Sequence, residues 1–168
     1  MVRFLVGCLL IAAALARAES RITWNFEGGR LERVERVAER HWRAHVAGES
    51  DQEGRNRQAN WYSFQVDLDT AGPVMIDLVN LPGEYNYKPN RGAVTGDTPP
   101  VISFDNRTWT HVTDFEYEPG EPRLRIRVTP APGAKRLWIA HVPPYTNVHL
   151  AALRKWAGAR IGEERIGK

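Results

Sequence analysis

The segment Arg123-Leu-Arg-Ile-Arg-Val128 decides the fold class of this chain, because arginine and aliphatic residues alternate at every position. Successive side chains of a β-strand point to opposite faces of its sheet. The aliphatic residues are therefore predicted to be buried, and the arginines to form a cationic outer face. Turn residues at 130–133 follow, and an apolar run at 137–142 brings the chain back.

Strand patterns also precede this segment. Residues 61–68 alternate aromatic or aliphatic residues with polar ones, and residues 74–81 are nearly all apolar. Because Ala71-Gly-Pro73 is a turn sequence, we expect residues 61–81 to form a hairpin in a central position. Residues 101–104 and 109–112 predict another hairpin around a polar turn.

The segments between these strands are polar or rich in turn residues. Residues 48–59 are predicted to be a surface loop, and residues 82–100, rich in Pro, Gly, Asn and Tyr, a long loop. Residues 148–156 carry apolar side chains at helical spacing, so they predict a terminal helix with Gly158 as its C-cap.

Residues 31–46 are ambiguous. Leu31, Val34, Ala38 and Trp42 fit one stripe of a helix, but the even positions from 34 to 46 would also share one face of a strand. The helix propensity of Glu, Arg and Ala makes periodicity alone favour a helix.

Many short strands, frequent turn signals and one terminal helix predict an all-β fold, an antiparallel β-sandwich. The 168 residues suit one domain with short extensions.

Residues 1–18 have the features of a signal peptide. Arg3 precedes an apolar run, and Ala16-Arg-Ala18 is a small-x-small cleavage site before Glu19. We therefore expect a periplasmic or extracellular protein. An uncleaved anchor is one alternative, and lipidation of Cys8 is another.

Cleavage changes what the composition implies. It removes Cys8, the single cysteine of the chain, so the mature protein would have neither a disulfide nor a thiolate metal site. Of 23 Lys and Arg against 20 Asp and Glu, it leaves 21 against 20, a net charge of about +1. Nothing in that charge or its distribution indicates nucleic-acid binding.

The histidines are the first candidates for catalysis or metal binding. His41 and His45 are four residues apart, a spacing that zinc sites use, but Trp42 stands where the metalloprotease motif has glutamate. We expect both to be exposed polar residues. His141 lies in a predicted strand and is expected to be a structural group with satisfied hydrogen bonds. The sequence thus predicts no catalytic residue and no metal ligand in this chain.

Tyr85-Asn86-Tyr87 is the most distinctive part of the predicted long loop. Two aromatic residues flanking an amide could line a cleft or contact a partner. Alternatively, the tyrosine rings pin the loop to its own core, and the sequence leaves both possibilities open.

Several short motifs occur in one order along the chain. They are Phe26-Glu-Gly-Gly29, Asn60-Trp-Tyr-Ser-Phe64, Asp77-Leu-Val-Asn-Leu81, Tyr85-Asn-Tyr87 and Trp138-Ile-Ala-His-Val-Pro-Pro-Tyr-Thr146. Together they resemble the N-terminal domain of cytosolic-type zinc carboxypeptidases, the family that includes the tubulin deglutamylases, over residues 22–153. The resemblance implies an antiparallel β-sandwich packed on a separate α/β catalytic domain, and it implies strands for residues 31–46.

The same resemblance places the catalytic zinc outside this chain. In that family the zinc ligands and the catalytic glutamate lie in the later domain, beginning with a His-x-x-Glu motif. None of the five histidines here is followed by glutamate at the third position. We therefore expect no cofactor in this chain and zinc in the catalytic domain.

The expected organisation is a signal peptide at 1–18, a β-sandwich at 19–147, and a helix and linker at 148–168 that lead towards a catalytic domain absent from this sequence. Since Arg165-Ile-Gly-Lys168 resembles the start of the segment entering that domain, we expect a fragment of a larger enzyme.

The expected function is that of a non-catalytic accessory domain. It would support a catalytic domain, in the same polypeptide, that removes amino acids from peptide or protein C-termini, and it would shape substrate access. No membrane contact is expected after signal cleavage. The candidate contact surface comprises Tyr85, Asn86, Tyr87, Pro143, Pro144 and Tyr145. The alternative is a free-standing secreted β-sandwich that binds a glycan or a protein.

Overall fold

The computed structural model describes residues 21–69, 72–160 and 162. The predicted signal peptide at 1–18 lies outside the described residues, as do Ile161 and residues 163–168 of the predicted linker.

The described residues form fourteen strands and one α-helix. The strands are β1 Ile22–Thr23, β2 Arg33–Ala38, β3 His41–His45, β4 Glu49–Asp51, β5 Asn56–Gln58, β6 Ser63–Asp67, β7 Val74–Val79, β8 Gly83–Tyr85, β9 Lys88–Asn90, β10 Val101–Ser103, β11 Thr110–His111, β12 Phe115–Glu118, β13 Arg123–Val128 and β14 Arg136–Ala140. The helix is α1, Asn147–Ala157, and short 3-10 turns lie at Gln52–Gly54 and Gly158–Arg160.

These strands form three sheets. Sheet 1 has the order β1-β6-β14-β10-β11, sheet 2 the order β12-β13-β7-β3-β2, and the small sheet 3 the order β4-β5-β8-β9. The pairs in these sheets are antiparallel except β3 with β7. The predicted all-β fold is thus confirmed.

Sheets 1 and 2 share one hydrophobic core. Alternate residues of β6, β14, β7 and β13 are fully buried, namely Phe64, Val66, Leu137, Ile139, Ile76, Leu78, Leu124 and Ile126. This confirms the alternation predicted for β13. Each such aliphatic side chain contributes about 1.5–3 kcal/mol when it leaves water, so these central strands stabilise the domain most.

The predicted hairpin at 61–81 is wrong. β6 lies in sheet 1 between β1 and β14, whereas β7 lies in sheet 2 between β13 and β3. Alternation shows which face of a strand is buried, and it does not show which strand lies beside it. The turn between β6 and β7 therefore carries the chain from one sheet to the other.

Residues 31–46 form the β2–β3 hairpin, so the helix favoured by periodicity is wrong and the strands implied by the resemblance are confirmed. Trp42, Ala44 and Val46 are buried in the core. Packing of this face outweighs the helix propensity of the intervening Glu and Arg residues.

The two predicted loops at 48–59 and 82–100 are also partly wrong, because they supply the strands of sheet 3. These strands are short and polar, so neither hydrophobic alternation nor β-propensity reveals them. Their pairing depends on backbone hydrogen bonds between distant segments. The hairpin at 101–112 is confirmed, since β10 pairs with β11.

The predicted terminal helix is confirmed as α1, and the N–H of Gly158 donates to the carbonyl oxygen of Arg154 at its C-terminus. Within α1 only Ala157 is buried. Among the described residues, α1 included, there is no helix with the length and apolar character needed to span a bilayer.

Candidate functional site

One end of the sandwich gathers the motifs singled out in the sequence. The N–H of His141, directly after β14, donates to the carbonyl oxygen of Tyr62, directly before β6, over 3.0 Å. Sheet 3 lies at the same end, because β5 runs into β6 and β7 runs into β8.

We call residues 26–29, 61–62 and 141–147 the junction. Trp61 Nε1 donates to the carbonyl oxygen of Gly28 over 2.8 Å, and the N–H of Asn147 donates to Glu27 Oε1 over 2.7 Å. Gly28 has a φ of 79°, and a β-carbon there would lie 3.8 Å from Pro144 Cβ and 3.7 Å from Thr146 Cγ2. Three motifs that are distant in sequence therefore meet at the start of α1.

The first turn of α1 is also capped locally. His149 Nδ1 accepts a hydrogen bond from the Thr146 N–H over 3.1 Å, and the Thr146 hydroxyl lies 3.0 Å from the same nitrogen. The Tyr145 ring stacks on His149 with 5.5 Å between ring centroids.

Beyond this first turn, α1 presents an apolar surface to solvent. We define the α1 stripe as Leu150, Leu153 and Trp156, whose spacing places them along one side of the helix. Their exposed fractions are 42%, 43% and 78%. These apolar side chains are therefore largely exposed on the described domain.

Tyr85, Asn86 and Tyr87 lie at the tip of the β8–β9 hairpin, which we call the tip. The tyrosine side chains are 53% and 70% exposed, so the rings do not pin the segment to the core. Asn86 and Tyr87 have φ values of 51° and 60°, the geometry of a two-residue type I′ turn, in which glycine is favoured at the second position.

The tip is held firmly despite its exposure. The N–H of Asn86 donates to Asn56 Oδ1 over 2.8 Å, and the N–H of Tyr87 donates to the carbonyl oxygen of Arg55 over 3.0 Å. The left-handed backbone conformation of Tyr87 costs on the order of 1 kcal/mol. Burial of the ring does not offset this cost, because the ring is exposed.

Pro143, Pro144 and Tyr145 lie in the segment between β14 and α1. Pro143 and Tyr145 are exposed, and Pro144 is partly buried beside Gly28. The two predicted sets of contact residues are therefore at the same end of the sandwich, one on sheet 3 and one at the junction.

The outer face of sheet 2 holds the predicted histidine pair. Asp77 is 2% exposed and accepts hydrogen bonds from Arg125 Nε at 2.7 Å, Arg125 Nη2 at 3.0 Å and His41 Nε2 at 2.9 Å. Burial by itself would raise the pKa of Asp77, but these hydrogen bonds outweigh it and hold that pKa below the usual value. The expectation that His41 is simply exposed is thus wrong.

His45 has a different environment. Its Nε2 lies 3.3 Å from Glu35 Oε1, yet this buried nitrogen has no hydrogen-bond partner among the described residues. Burial, followed by the charge of Arg33, lowers the pKa of His45, so the neutral form is favoured.

A metal site does not fit these histidines. The described part of the chain contains no group of three or more His, Cys, Asp and Glu side chains placed to hold one ion. Zinc therefore has no set of three or more such ligands among these residues.

The arginines of β13 do not form the free cationic face that their alternation predicts. Arg127 pairs with Asp114 and Glu116, at 3.1 and 3.0 Å, and Arg125 is held by Asp77. Acidic residues of β7, of β12 and of the position before β12 thus pair with these two arginines.

His141 differs from its expected role. Its ring meets that of Tyr62 edge-on with 5.6 Å between centroids, and burial lowers its pKa. Within the described residues, neither His141 Nδ1 nor the buried Tyr62 hydroxyl has a hydrogen-bond partner. The expectation of a satisfied histidine is wrong for this nitrogen.

Sequence reasoning missed two features of this end. A groove of about 480 Å³ is lined in part by Glu32, Asn80 and Glu84. The sequence does not reveal this groove, because the short polar strands of sheet 3 have no hydrophobic alternation. Glu27 lies within the motif at 26–29, and nothing in the sequence shows that its carboxylate reaches Asn147, because these residues are 120 positions apart.

The fold and junction define an all-β sandwich domain that ends in a largely uncovered helix. A family model described as the cytosolic carboxypeptidase N-terminal domain matches residues 22–141, and the chain belongs to this family. No curated protein matches the chain significantly.

Solved structures share the fold. A metallo-carboxypeptidase from Burkholderia cenocepacia is 19% identical with a TM-score of 0.62, over 82% of this chain and 33% of that one. A metallo-carboxypeptidase from Pseudomonas aeruginosa, in complex with (2-guanidinoethylmercapto)succinic acid, is 20% identical with a TM-score of 0.59 over the same shares. This chain thus spans about a third of each of those proteins.

Proposed function

We propose that this chain is the non-catalytic N-terminal accessory domain of an exported zinc metallocarboxypeptidase. Membership of the N-terminal domain family supports this, as does the shared fold with two metallo-carboxypeptidases, about 33% of whose length this chain covers. In this proposal the catalytic domain follows in the same polypeptide and removes amino acids from peptide or protein C-termini.

The observation that carries the proposal is the exposure of the α1 stripe. An isolated helix of this length is marginal in water, and most helical stability in proteins comes from burying one apolar face. Here Trp156 remains 78% exposed. The proposed occupant is the α/β catalytic domain, because α1 begins at Asn147, shortly after residue 141, where the match to the family model ends.

Zinc belongs to the proposed catalytic domain, where it would act as a Lewis acid on the scissile carbonyl group. The described residues would support that domain and shape substrate access to it, with no part in bond cleavage.

The tip and the segment at Pro143, Pro144 and Tyr145 are proposed to contact the catalytic domain or the rim of its cleft. Their support is exposure at one end of the sandwich, together with the rigid type I′ turn that presents Tyr87. Preorganised aromatic residues are favoured at protein interfaces because they lose little entropy on binding.

The decisive test is to extend the native reading frame past Lys168 and to assay the encoded protein. We expect an in-frame His-x-x-Glu motif, a later histidine and glutamate, and zinc-dependent carboxypeptidase activity. An immediate stop codon, with a monodisperse and highly stable monomer in solution, would overturn the proposal. Quenching of tryptophan fluorescence by glycans would then favour the binding-module alternative.

Export has a separate test. Secretion of the protein from a bacterial host should give a mature chain that begins at Glu19, as measured by intact mass. A chain retained in the cytoplasm with residues 1–18 intact would contradict export and leave the accessory role untouched.

A further inference from the structure

We infer that Glu27 is a positioning residue that sets the direction in which α1 leaves the sandwich. α1 itself is weakly packed, since Ala157 is its one buried residue. A helix with so little buried surface needs specific contacts at its start to keep one orientation.

The contact between Glu27 and Asn147 has the right chemistry for this role. The first N–H groups of a helix have no partner within the helix, and a carboxylate there also interacts favourably with the helix dipole. Glu27 Oε1 accepts the N–H of Asn147, the first residue of α1, over 2.7 Å. This bond joins segments 120 residues apart, so it ties the helix to the body of the domain.

The turn that carries Glu27 is itself held in place. The N–H of Gly29 donates to the carbonyl oxygen of Phe26 over 2.9 Å, and the indole of Trp61 donates to Gly28 from the start of β6. A β-carbon on Gly29 would lie 2.2 Å from the carbonyl oxygen of Trp24, so only glycine fits there. The direction of α1 therefore follows from sheet 1 through Trp61, Gly28 and Glu27.

The cap made by His149 has a different effect. It joins Thr146 to a residue three positions later, within the first turn of the same helix. It can order that turn, but it does not connect α1 to the sandwich. Mutation can therefore remove the bond between Glu27 and Asn147 without removing the cap made by His149.

The functional consequence rests on the proposed function. If a catalytic domain covers the α1 stripe, the angle of α1 sets the angle of that domain relative to the sandwich and the tip. Holding this angle before the partner is present lowers the entropy lost on docking.

The test measures helix direction in the full chain without any partner. Nitroxide labels are placed at Glu121→Cys on the sandwich and Lys155→Cys on α1, in a Cys8→Ser background, and their distance distribution is recorded. The variants are Glu27→Ala, Glu27→Gln and, as a matched control, Glu39→Ala, which removes an exposed carboxylate from the turn between β2 and β3.

We expect one narrow distance distribution for the parent and for Glu39→Ala, and a broad or displaced one for Glu27→Ala. The amide of Asn147 should exchange about tenfold faster in Glu27→Ala, because its hydrogen-bond acceptor is gone. Glu27→Gln should give a distance distribution and an Asn147 exchange rate between those of the parent and of Glu27→Ala. Its side-chain amide oxygen still accepts the hydrogen bond, while the charge is lost.

An unchanged distance distribution in Glu27→Ala overturns the inference. Exchange of the amides paired between β7 and β13 shows whether this variant folds. If it does not fold, Glu27→Gln decides: faster exchange at Asn147 together with a distance distribution as narrow as the parent's would show that this bond does not set the direction of α1, which overturns the inference. These measurements are made without a catalytic domain, so their outcome does not depend on whether the proposed function is correct.

Discussion

The indole N–H of Trp61 donates to the carbonyl oxygen of Gly28 over 2.8 Å, joining the start of β6 to the turn that carries Glu27. Gly28 in turn lies beside Pro144 and Thr146, and Glu27 caps α1. The motif at 60–64 therefore has a role beyond its buried rings, since it supports the exit of the chain towards α1.

Trp61→Phe is expected to destabilise the domain by about 1 kcal/mol, because the Gly28 carbonyl loses its donor while most of the ring is kept. Urea unfolding at neutral pH measures this change. Trp156→Phe is the matched control, because that side chain is 78% exposed, and a change within about 0.5 kcal/mol is expected there. Equal effects of the two substitutions would show that the hydrogen bond contributes nothing.

Asp77→Asn should reduce the free energy of unfolding by about 2 kcal/mol, since Arg125 and His41 lose a charged acceptor at a buried position. Asp97→Asn, at an exposed carboxylate, is the control and should change little. Chemical denaturation of both variants at neutral pH gives the comparison.

The lowered pKa of Asp77 also predicts a dependence on acid. A carboxyl group whose pKa is lower in the folded state binds fewer protons there than in the unfolded chain. Its stabilisation is therefore complete above the unfolded pKa of about 4 and is lost as the pH falls through the lower folded value. The free energies of unfolding of the parent and of Asp77→Asn should converge in this acid range. A constant difference between these free energies would show that the pKa of Asp77 is not the cause of the acid dependence.

A second loss of stability is expected on mild acidification, because burial lowers the pKa values of His45 and His141. The unfolded chain then binds protons more readily than the folded one. The associated stability is present above the unfolded pKa of about 6.5 and decreases as the pH falls from there towards the lower folded values. Thermal unfolding between about pH 5 and about pH 8 should show this slope.

The double variant His45→Gln, His141→Gln should flatten that slope. A slope of the same size in the double variant would assign the effect to other groups.

Tyr62→Phe should leave the domain as stable as the parent or stabilise it by about 1 kcal/mol. The Tyr62 hydroxyl is buried without a hydrogen-bond partner among the described residues, so its removal avoids a desolvation cost and keeps the ring packing against Phe64. Burial also raises the pKa of Tyr62 far above its usual value. Guanidinium unfolding is the measurement, and a loss of more than about 1 kcal/mol would show that the hydroxyl is satisfied.

Local pattern in the sequence determined much of this protein. Strict alternation in β13 placed Leu124 and Ile126 in the core, apolar spacing located α1, and turn residues located the β10–β11 hairpin. These features depend on side chains within one turn or strand of each other, so a short window of sequence contains the information. The motifs in order indicated the family, which the match over residues 22–141 confirms.

Tertiary structure alone decided which strands are neighbours and which distant groups meet. The separation of β6 and β7 into different sheets, the polar strands of sheet 3, the neutralised arginines of β13 and the bond from Glu27 to Asn147 all join segments far apart in sequence. Each depends on a register set by the whole packed core, since shifting a strand by one residue would turn its side chains to the other face. For that reason the sequence could supply the residues of the junction, and only the folded chain could bring them together.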